Sequence, residues 1–258
     1  MLIEGIVIKS TGSWYDVRLD NGEFVACRIK GKFRLGTLKL TNPVAVGDRV
    51  MVNIEKEEET VGTIREIKPR KNYVLRQSPR KKHFLHIIAS NIDQAIVIVS
   101  MRQPSVKVGF IDRFLLMTEP YNIPVTIVFN KSDLHESEDV DYLTYLRAVY
   151  ENIGYKTILT STVTGEGLHE LEDIIDTPGI KTLGFNYLEE MDVAHNFREF
   201  FELSKDCKFG DCLHRNEPNC AVKTALENQE ISPFRYENYL AILDEIENQN
   251  YWEIQKDM

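Results

Sequence analysis

Asn130-Lys131-Ser132-Asp133 and Asp176-Thr177-Pro178-Gly179 are the two stretches that decide the fold of this 258-residue chain. The first has the residue types that recognise guanine, because the Asp133 carboxylate can accept hydrogen bonds from the ring N–H and the exocyclic amine. The second suits Mg²⁺ and a terminal phosphate. The Asp176 carboxylate fits an outer-sphere contact to the hydrated ion, and Gly179 lets backbone approach a phosphate closely.

The segments before the first motif are those of a buried parallel sheet. Pro124 to Phe129 is a continuous apolar run that ends directly on Asn130, and Gln94 to Ser100 is a second such run. A helical pattern from about Phe110 to Tyr121 joins them. Ligands bind at the carboxyl ends of strands in open α/β sheets. The guanine interpretation is therefore favoured over a plain turn rich in Asn, Ser and Asp.

A third short strand, Tyr155 to Leu159, is followed by a polar loop that starts at Thr160. A loop in this position of a guanine site presents a backbone N–H to the guanine O6. In this interpretation the Lys131 stem covers the base and Asn130 ties the neighbouring loops together. The predicted guanine-binding residues are Asn130, Lys131, Asp133, Ser161 and Thr162. Asp176 and Gly179 alone would indicate a turn, but with the guanine motif they are predicted to sense Mg²⁺ and phosphate.

The two motifs stand in reversed order. The phosphate-sensing motif precedes the guanine motif in ordinary GTPases, so the order here predicts a circularly permuted P-loop GTPase domain of the α/β class.

No Gly-x-x-x-x-Gly-Lys-Ser/Thr loop occurs in the sequence, although that loop supplies the backbone cradle and lysine for the phosphates. Between Glu172 and Ile174 a short helix runs into a buried strand without turn residues, whereas connections usually take about 4–6 residues. We infer that a segment of some tens of residues, carrying the phosphate loop, is missing near 172–174.

Three cysteines and one histidine fall within 14 residues: Cys207, Cys212, His214 and Cys220. A Cys₃His set is a usual tetrahedral ligand set for structural Zn²⁺, and it leaves no open position for catalysis. The alternatives are chance and disulfides, but chance clustering is improbable and three thiols pair poorly. The pattern predicts one structural zinc ion within a helical carboxy-terminal region.

The amino-terminal part predicts an all-β domain. About five short strands are separated by turn signals such as Asn21-Gly22 and Gly47. An oligonucleotide-binding (OB) barrel fits this size and strand number, although the pattern alone leaves an SH3-like barrel open. The resulting domain prediction is an OB-type barrel over 1–72, a permuted GTPase domain over 73–190 and a zinc-binding helical domain over 191–258.

Charge is distributed unevenly along the chain. Residues 1–82 hold 17 basic and 10 acidic residues, a net charge of +7, whereas residues 83–258 hold 14 and 30, a net charge of −16. A charge run is usually only a solvated face, but beside an OB-type barrel a basic stripe is expected to contact RNA phosphates. The RNA-binding candidates are Arg65, Lys68, Arg70, Lys71, Arg76, Arg80, Lys81 and Lys82.

The location of the protein is predicted from two absent sequence features and one that is present. No apolar run is long enough to span a membrane, and the start Met1-Leu-Ile-Glu meets an acid too early for a signal peptide. Clustered thiols that suit a metal indicate a reducing compartment. We therefore expect a cytoplasmic protein with no membrane partner.

Taken together, these features resemble the RsgA (YjeQ) family of circularly permuted ribosomal GTPases. The resemblance is carried by Asn91-Ile92-Asp93, Asn130 to Asp133, Asp176 to Ile180 and the spacing of the cysteines and histidine. It implies a GTPase that acts late in assembly of the small ribosomal subunit, binding rRNA and hydrolysing GTP on the subunit. It also implies Mg²⁺ with GTP or GDP, one Zn²⁺ ion, and a monomer.

The sequence departs from the family pattern at the phosphate loop and first switch, so no catalytic residue is assigned. GTP hydrolysis is expected if the missing segment belongs to the real polypeptide. Otherwise the expectation is a nucleotide-independent RNA-binding module that uses the barrel, the basic connector and the zinc domain. A third alternative is an unrelated zinc-stabilised α/β protein.

Overall fold

The computed structural model describes residues 2–29, 42–54, 61–77, 85–107, 109–172, 174 and 190–254. The described chain forms two compact units that meet in sequence between Asp93 and Gln94. The three-domain division at residues 72 and 190 stays a prediction. None of the helices in these ranges combines the length and apolarity needed to cross a membrane.

The first unit begins with a closed five-stranded barrel. Its strands are β1 (Leu2–Thr11), β2 (Trp14–Leu19), β3 (Phe24–Ile29), β4 (Arg49–Ile54) and β5 (Val61–Ile67), in the order β1-β2-β3-β5-β4. Only β3 and β5 run parallel; the other pairs are antiparallel. This confirms the predicted OB-type barrel.

Strict alternation of side chains fills the barrel. Val17, Val50, Val52 and Ile64 have no exposed surface, as expected where every second residue of a strand faces the interior. Cys27 belongs to this core, and burial raises the pKa of its thiol to about 11. It is therefore an inert apolar residue of the core.

A buried ion pair fixes the segment that follows the barrel. Asp48 is fully buried and accepts hydrogen bonds from Arg70 Nε at 2.6 Å and Arg70 Nη2 at 2.7 Å. Ser90, at the end of the hairpin β6 (Tyr73–Gln77) and β7 (Leu85–Ser90), donates to the same carboxylate at 2.5 Å. Arg70 Nη2 also donates to the carbonyl of Pro43. Arg70 is one of the predicted RNA-binding residues, but its guanidinium is used inside the protein.

The second unit contains three parallel strands, β8 (Ala95–Ser100), β9 (Val125–Asn130) and β10 (Lys156–Thr160), in the order β10-β9-β8. The helices around them are α1 (Gly109–Thr118), α2 (Ser137–Asn152) and α3 (Leu168–Glu172), with short 3₁₀ turns at Glu119–Tyr121 and Ser132–Leu134. All three strands lie within one residue of the segments that the sequence predicts. The sheet confirms the predicted α/β fold of this region.

Strand β8 has the composition of an interior strand. Within the described part of the sheet it pairs with β9 alone, and the Ile98 side chain is 55% exposed. Central strands of parallel sheets are normally covered on both faces and paired on both edges. An uncovered isoleucine on a strand that is apolar from Ala95 to Val99 therefore marks the side of the sheet where further structure is expected.

The carboxy-terminal region is helical, as predicted. It comprises α4 (Glu190–Asn196), α5 (Arg198–Ser204), α6 (Ala221–Glu227) and α7 (Pro233–Ile254). Phe197, Phe200 and Tyr239 are fully buried and pack with ring centroids 4.9 to 5.2 Å apart. This aromatic cluster joins α5 to α7.

Arg235 connects these helices to the sheet region. Its guanidinium is 2% exposed and donates to Asp112 on α1 and to both oxygens of Glu199 on α5, at 2.6 and 2.9 Å. Asp112 also accepts from the Tyr150 hydroxyl at 2.8 Å and from Asn238 at 2.6 Å. Every partner of the buried charges is therefore supplied from another helix.

We expect Arg235→Met to lower the free energy of unfolding by about 3–5 kcal/mol, because it leaves the buried Asp112 carboxylate and the partly buried Glu199 carboxylate without a cation. Arg113→Met is the matched control: it removes an ion pair to Glu245, also between α1 and α7, whose side chains are 27% and 40% exposed. The control should cost less than about 1 kcal/mol. Urea denaturation of both variants measures the difference, and equal losses would contradict the prediction.

Candidate functional site

The predicted guanine-binding loops lie side by side where β9 and β10 end. Asn130 and Thr160 are register partners across the two parallel strands, and Thr160 Oγ1 donates to Asn130 Oδ1 at 3.1 Å. Ser161 Oγ donates to Asp133 Oδ1 at 2.5 Å. The structure therefore brings together two loops that are some thirty residues apart in sequence.

Asp133 is placed to contact a ligand. Its side chain is exposed, while Ser161, which holds it, is fully buried. A carboxylate has about four lone-pair sites, so acceptor capacity remains after the Ser161 bond. Guanine offers two adjacent donors to such a group and adenine does not, so this geometry discriminates between the two bases.

Lys131 lies across the same site. Its backbone is left-handed, with φ of +67°, and its ammonium donates to the backbone carbonyl of Gln103 in the loop after β8. The side-chain stem therefore runs from one loop to the other. Sequence reasoning missed Gln103, and no signal points to it because only its carbonyl takes part.

Glu166 closes the second loop onto the first. Ser132 Oγ donates to Glu166 Oε2 at 2.5 Å, and Ser161 N donates to the Glu166 carbonyl at 3.0 Å. Ser161 Oγ also accepts from the backbone N–H groups of Val163 and Thr164, at 3.1 Å each. Thr162 lies exposed at the tip of this turn. Glu166 is a further residue that the sequence did not reveal, since a carboxylate in a turn is unremarkable by pattern.

The structure describes only some of the residues that are predicted to contact Mg²⁺, phosphate or RNA. Asp176, Gly179, Arg80, Lys81 and Lys82 lie outside the described residues, as does the side chain of Arg76. Arg65 is exposed, Lys68 lies 3.0 Å from Glu66, and Lys71 lies 3.5 Å from Asp93. The phosphate-sensing role and the RNA contacts stay predictions.

The ligand atoms of Cys207, Cys212, His214 and Cys220 all lie within 4.8 Å of one another. His214 Nδ1 is 3.7 Å from the sulfur of Cys207 and 3.4 Å from that of Cys220. A tetrahedral zinc site has Zn–S near 2.3 Å and Zn–N near 2.0–2.1 Å, which sets S···N at about 3.6 Å. The four residues therefore fit a metal ion of this kind, with Nδ1 as the nitrogen ligand.

Hydrogen bonds from outside the ligand set hold this loop. Glu217 accepts from the backbone N–H groups of Leu213 and Arg215, at 2.7 Å each. From α7, Tyr236 donates to the carbonyl of His214 at 2.7 Å, and Tyr239 donates to that of Leu213 at 2.8 Å. These bonds fix the backbone on both sides of the imidazole, whereas His214 Nε2 is buried and has no hydrogen-bond partner among the described residues.

Burial sets the protonation of the ligands. It raises the pKa of Cys212 to about 12 and raises the pKa of Cys220, and it lowers the pKa of His214 below its ordinary value. The imidazole is therefore neutral at physiological pH, the form that binds metals. The thiols release their protons when a cation binds, so metal binding and proton release are coupled.

The parallel sheet, its guanine-type loops and the later position of the Asp176 motif define a circularly permuted GTPase. Two solved structures share the fold across nearly the whole chain. One is YloQ, a circularly permuted GTPase, at 30% identity and a TM-score of 0.74, covering 96% of both chains. The other is YjeQ from Thermotoga maritima, at 29% identity and a TM-score of 0.77, covering 95% of this chain and 99% of that one.

The chain belongs to the RsgA family, whose members are GTPases. The RsgA GTPase family matches residues 67–175, and the RsgA N-terminal domain family matches residues 4–64. A relative from Bacteroides fragilis, named small ribosomal subunit biogenesis GTPase RsgA, is 37% identical and covers 96% of this chain and 99% of its own. A protein of the same name from Cytophaga hutchinsonii is 38% identical over 94% of this chain. These matches confirm the resemblance drawn from the motifs.

The same comparison bears on the missing segment. The match to the Bacteroides fragilis relative extends over 308 positions, whereas this chain has 258 residues. At least 50 of those positions, the difference between the two lengths, therefore have no residue in this chain. This supports the inference that some tens of residues are missing within it.

We expect Asp133→Asn to invert the base preference of the site. The variant loses an acceptor for two guanine donors, which should weaken GDP binding at least about tenfold. Its amide can donate to the carbonyl that xanthine carries in place of the guanine amine, so xanthosine diphosphate should bind more tightly than to the wild type. Calorimetric titration measures both, and Asp141→Asn, at an exposed position on α2, is the control. An unchanged GDP affinity in the Asp133 variant would contradict the assignment.

We expect Cys212→Ser to abolish metal binding and to lower the thermal midpoint, because a structural zinc ion contributes directly to folding. Each 1 kcal/mol lost corresponds to about 2–4 °C for a chain of this size. Elemental analysis and calorimetry measure the two effects. Cys27→Ala removes the barrel thiol and should retain the metal. A Cys212 variant that holds one zinc ion per chain would rule out this ligand set.

Proposed function

We propose that this chain is a guanine-nucleotide-binding factor in assembly of the small ribosomal subunit, the process named in its relatives. The observation that carries the proposal is the joining of the two loops by Asn130–Thr160 and Asp133–Ser161. A chance turn motif would need no such partners at the end of the neighbouring strand. The family membership supplies the biological setting.

In this proposal five residues bind the guanine nucleoside. Asp133 accepts from the base, the Lys131 stem covers its face, and Asn130 fixes the loops. Ser161 positions the Asp133 carboxylate, and Thr162 presents its backbone N–H to the guanine O6. Asp176 and Gly179 would contact Mg²⁺ and the terminal phosphate of GTP.

The remaining assignments follow the three predicted domains. Zn²⁺ stabilises the loop from Cys207 to Cys220. The OB-type barrel over 1–72 and the basic connector contact rRNA, with Arg65, Lys68, Lys71, Arg76, Arg80, Lys81 and Lys82 as candidates. Arg70 is left out of this set because its guanidinium is engaged by Asp48. The protein acts as a cytoplasmic monomer.

GTP hydrolysis by this chain depends on a phosphate loop that the 258 residues do not contain. Among the described residues the second edge of β8 has no partner strand, which agrees with the at least 50 alignment positions that have no residue in this chain. A protein that consists of these residues alone would bind a guanine nucleoside without the phosphate contacts and would not hydrolyse GTP. The guanine-site geometry still favours nucleotide binding over a purely nucleotide-independent RNA-binding module.

Intact-mass spectrometry separates the two forms. A mass several kilodaltons above 29.9 kDa means that the phosphate loop is present, and GTP hydrolysis stimulated by small ribosomal subunits is then expected. A mass of 29.9 kDa predicts no hydrolysis above background. Hydrolysis by a protein of that mass, with Asp133→Asn as the control for contaminants, would contradict this prediction.

Sedimentation with purified small ribosomal subunits tests whether the protein acts on that subunit. We expect the protein to co-sediment with small subunits and not with large subunits. If nucleotide controls release, a GTP analogue and GDP should give different bound fractions, and Asp133→Asn should remove the difference. Failure to bind small subunits would overturn the proposal.

A further inference from the structure

The outward face of β2 and β3 departs from the pattern of a solvated barrel surface. Tyr15, Val17, Val25 and Cys27 face the core, so the residues between them face out. An aromatic residue stands among those outward positions on each strand: Trp14 is 36% exposed and Phe24 is 69% exposed. Large apolar side chains grouped on an open surface mark interaction sites.

Each aromatic residue has an arginine opposite it on the neighbouring strand. The register pairs Arg18 with Phe24, and one step beyond the pair Tyr15–Cys27 it places Arg28 next to Trp14. The Arg28 guanidinium carbon lies 3.7 Å from the centroid of the indole ring. Trp14 and Arg18 are four residues apart on β2, so the two arginine–aromatic pairs lie about 13 Å apart.

The charge of this face suits a polyanion. Arg18 and Arg28 are both exposed, and Lys9 on β1, also exposed, stands opposite the half-buried Asp16. Asp16 is the one acid on the outward face of β2 and β3 among the described residues. On β1, which pairs with β2, Glu4 lies 3.1 Å from Arg49 of β4. Cations therefore flank both aromatic rings.

We propose that these two pairs, Trp14 with Arg28 and Arg18 with Phe24, form a stacking platform for two unpaired bases of single-stranded RNA. Bases stack on aromatic rings and on guanidinium planes, and the Trp14–Arg28 contact is such a stack with an arginine as its outer layer. Strands 2 and 3 are the face through which OB-type barrels bind oligonucleotides. A base pair inside a duplex has no free face, so the platform selects unpaired RNA.

This inference rests on the proposed function, because it names the RNA feature that the barrel recognises. It goes beyond the basic connector, whose lysines and arginines contact phosphates and carry no information about pairing. The two kinds of site are separable by experiment. Loss of an aromatic ring weakens binding without changing its salt dependence, whereas loss of a phosphate contact lowers the salt slope by about one unit.

The test uses fluorescence anisotropy with a labelled, unstructured RNA of about 12 nucleotides, within the site size of one OB fold, and a duplex of the same sequence. Phe24→Ser should weaken binding of the single strand at least about fivefold, the lower end for one stacked base. Binding of the duplex and the salt slope should not change. The matched control is Tyr142→Ser, which removes a half-exposed aromatic ring from α2 and should bind both RNAs like the wild type.

Trp14 supplies a second readout that does not depend on affinity. The chain has two tryptophans, so Trp252→Phe leaves Trp14 as the only one, and its fluorescence should be quenched as the single strand binds. Arg28→Gln should reduce that quenching.

Three results would each overturn the proposed platform. The Phe24 variant could bind the single strand with wild-type affinity, it could lose equal affinity for the single strand and the duplex, or the wild type could fail to bind the single strand. Small-subunit binding that survives Phe24→Ser unchanged would also count against it while leaving the proposed function intact.

Discussion

The parallel pairing of β9 and β10 is the constraint on which the candidate site depends. A shift of one residue would separate Asn130 from Thr160 and would turn every side chain of β10 to the opposite face of the sheet. The pairing is strongly determined because β9 is buried along almost its whole length. The sheet therefore sets the positions of the site residues at the carboxyl ends of β9 and β10. The hydrogen bonds between the two loops then set the orientations of their side chains.

A second constraint holds the helical region against the sheet. Asp112 on α1 and Glu199 on α5 converge on the same guanidinium of α7. Such a cluster contributes little net stability when complete, because desolvation offsets the Coulomb attraction. Its directional bonds do exclude other packings of these helices. The apolar contacts of Phe197, Phe200 and Tyr239 stabilise the packing of the helices but do not specify their orientation as the hydrogen bonds of Arg235 do.

The sequence predicted the features that depend on local pattern. Strand positions, the five-stranded barrel, the carboxy-terminal helices and the clustering of Cys207, Cys212, His214 and Cys220 follow from periodicity, turn residues and spacing. Contacts between segments that are distant in sequence could not be predicted from local pattern. Arg70 was assigned to RNA because it lies in a basic run, and only the fold shows that Asp48 faces it. Gln103 acts through its carbonyl and Glu166 through a turn, so neither has a side-chain signature that a single sequence reveals. The phosphate-sensing motif at Asp176 and the three domain boundaries remain predictions.

Helix α7 supplies residues to two places that are far apart in sequence. Near its start, Arg235 binds the carboxylates of α1 and α5, while Tyr236 and Tyr239 bind the carbonyls of the loop that carries the metal ligands. Because one helical turn makes both sets of bonds, order in the metal loop and order in the sheet region are thermodynamically linked. A metal ion held by the three cysteines and His214 would therefore also stabilise the packing of α1 and α5 against α7.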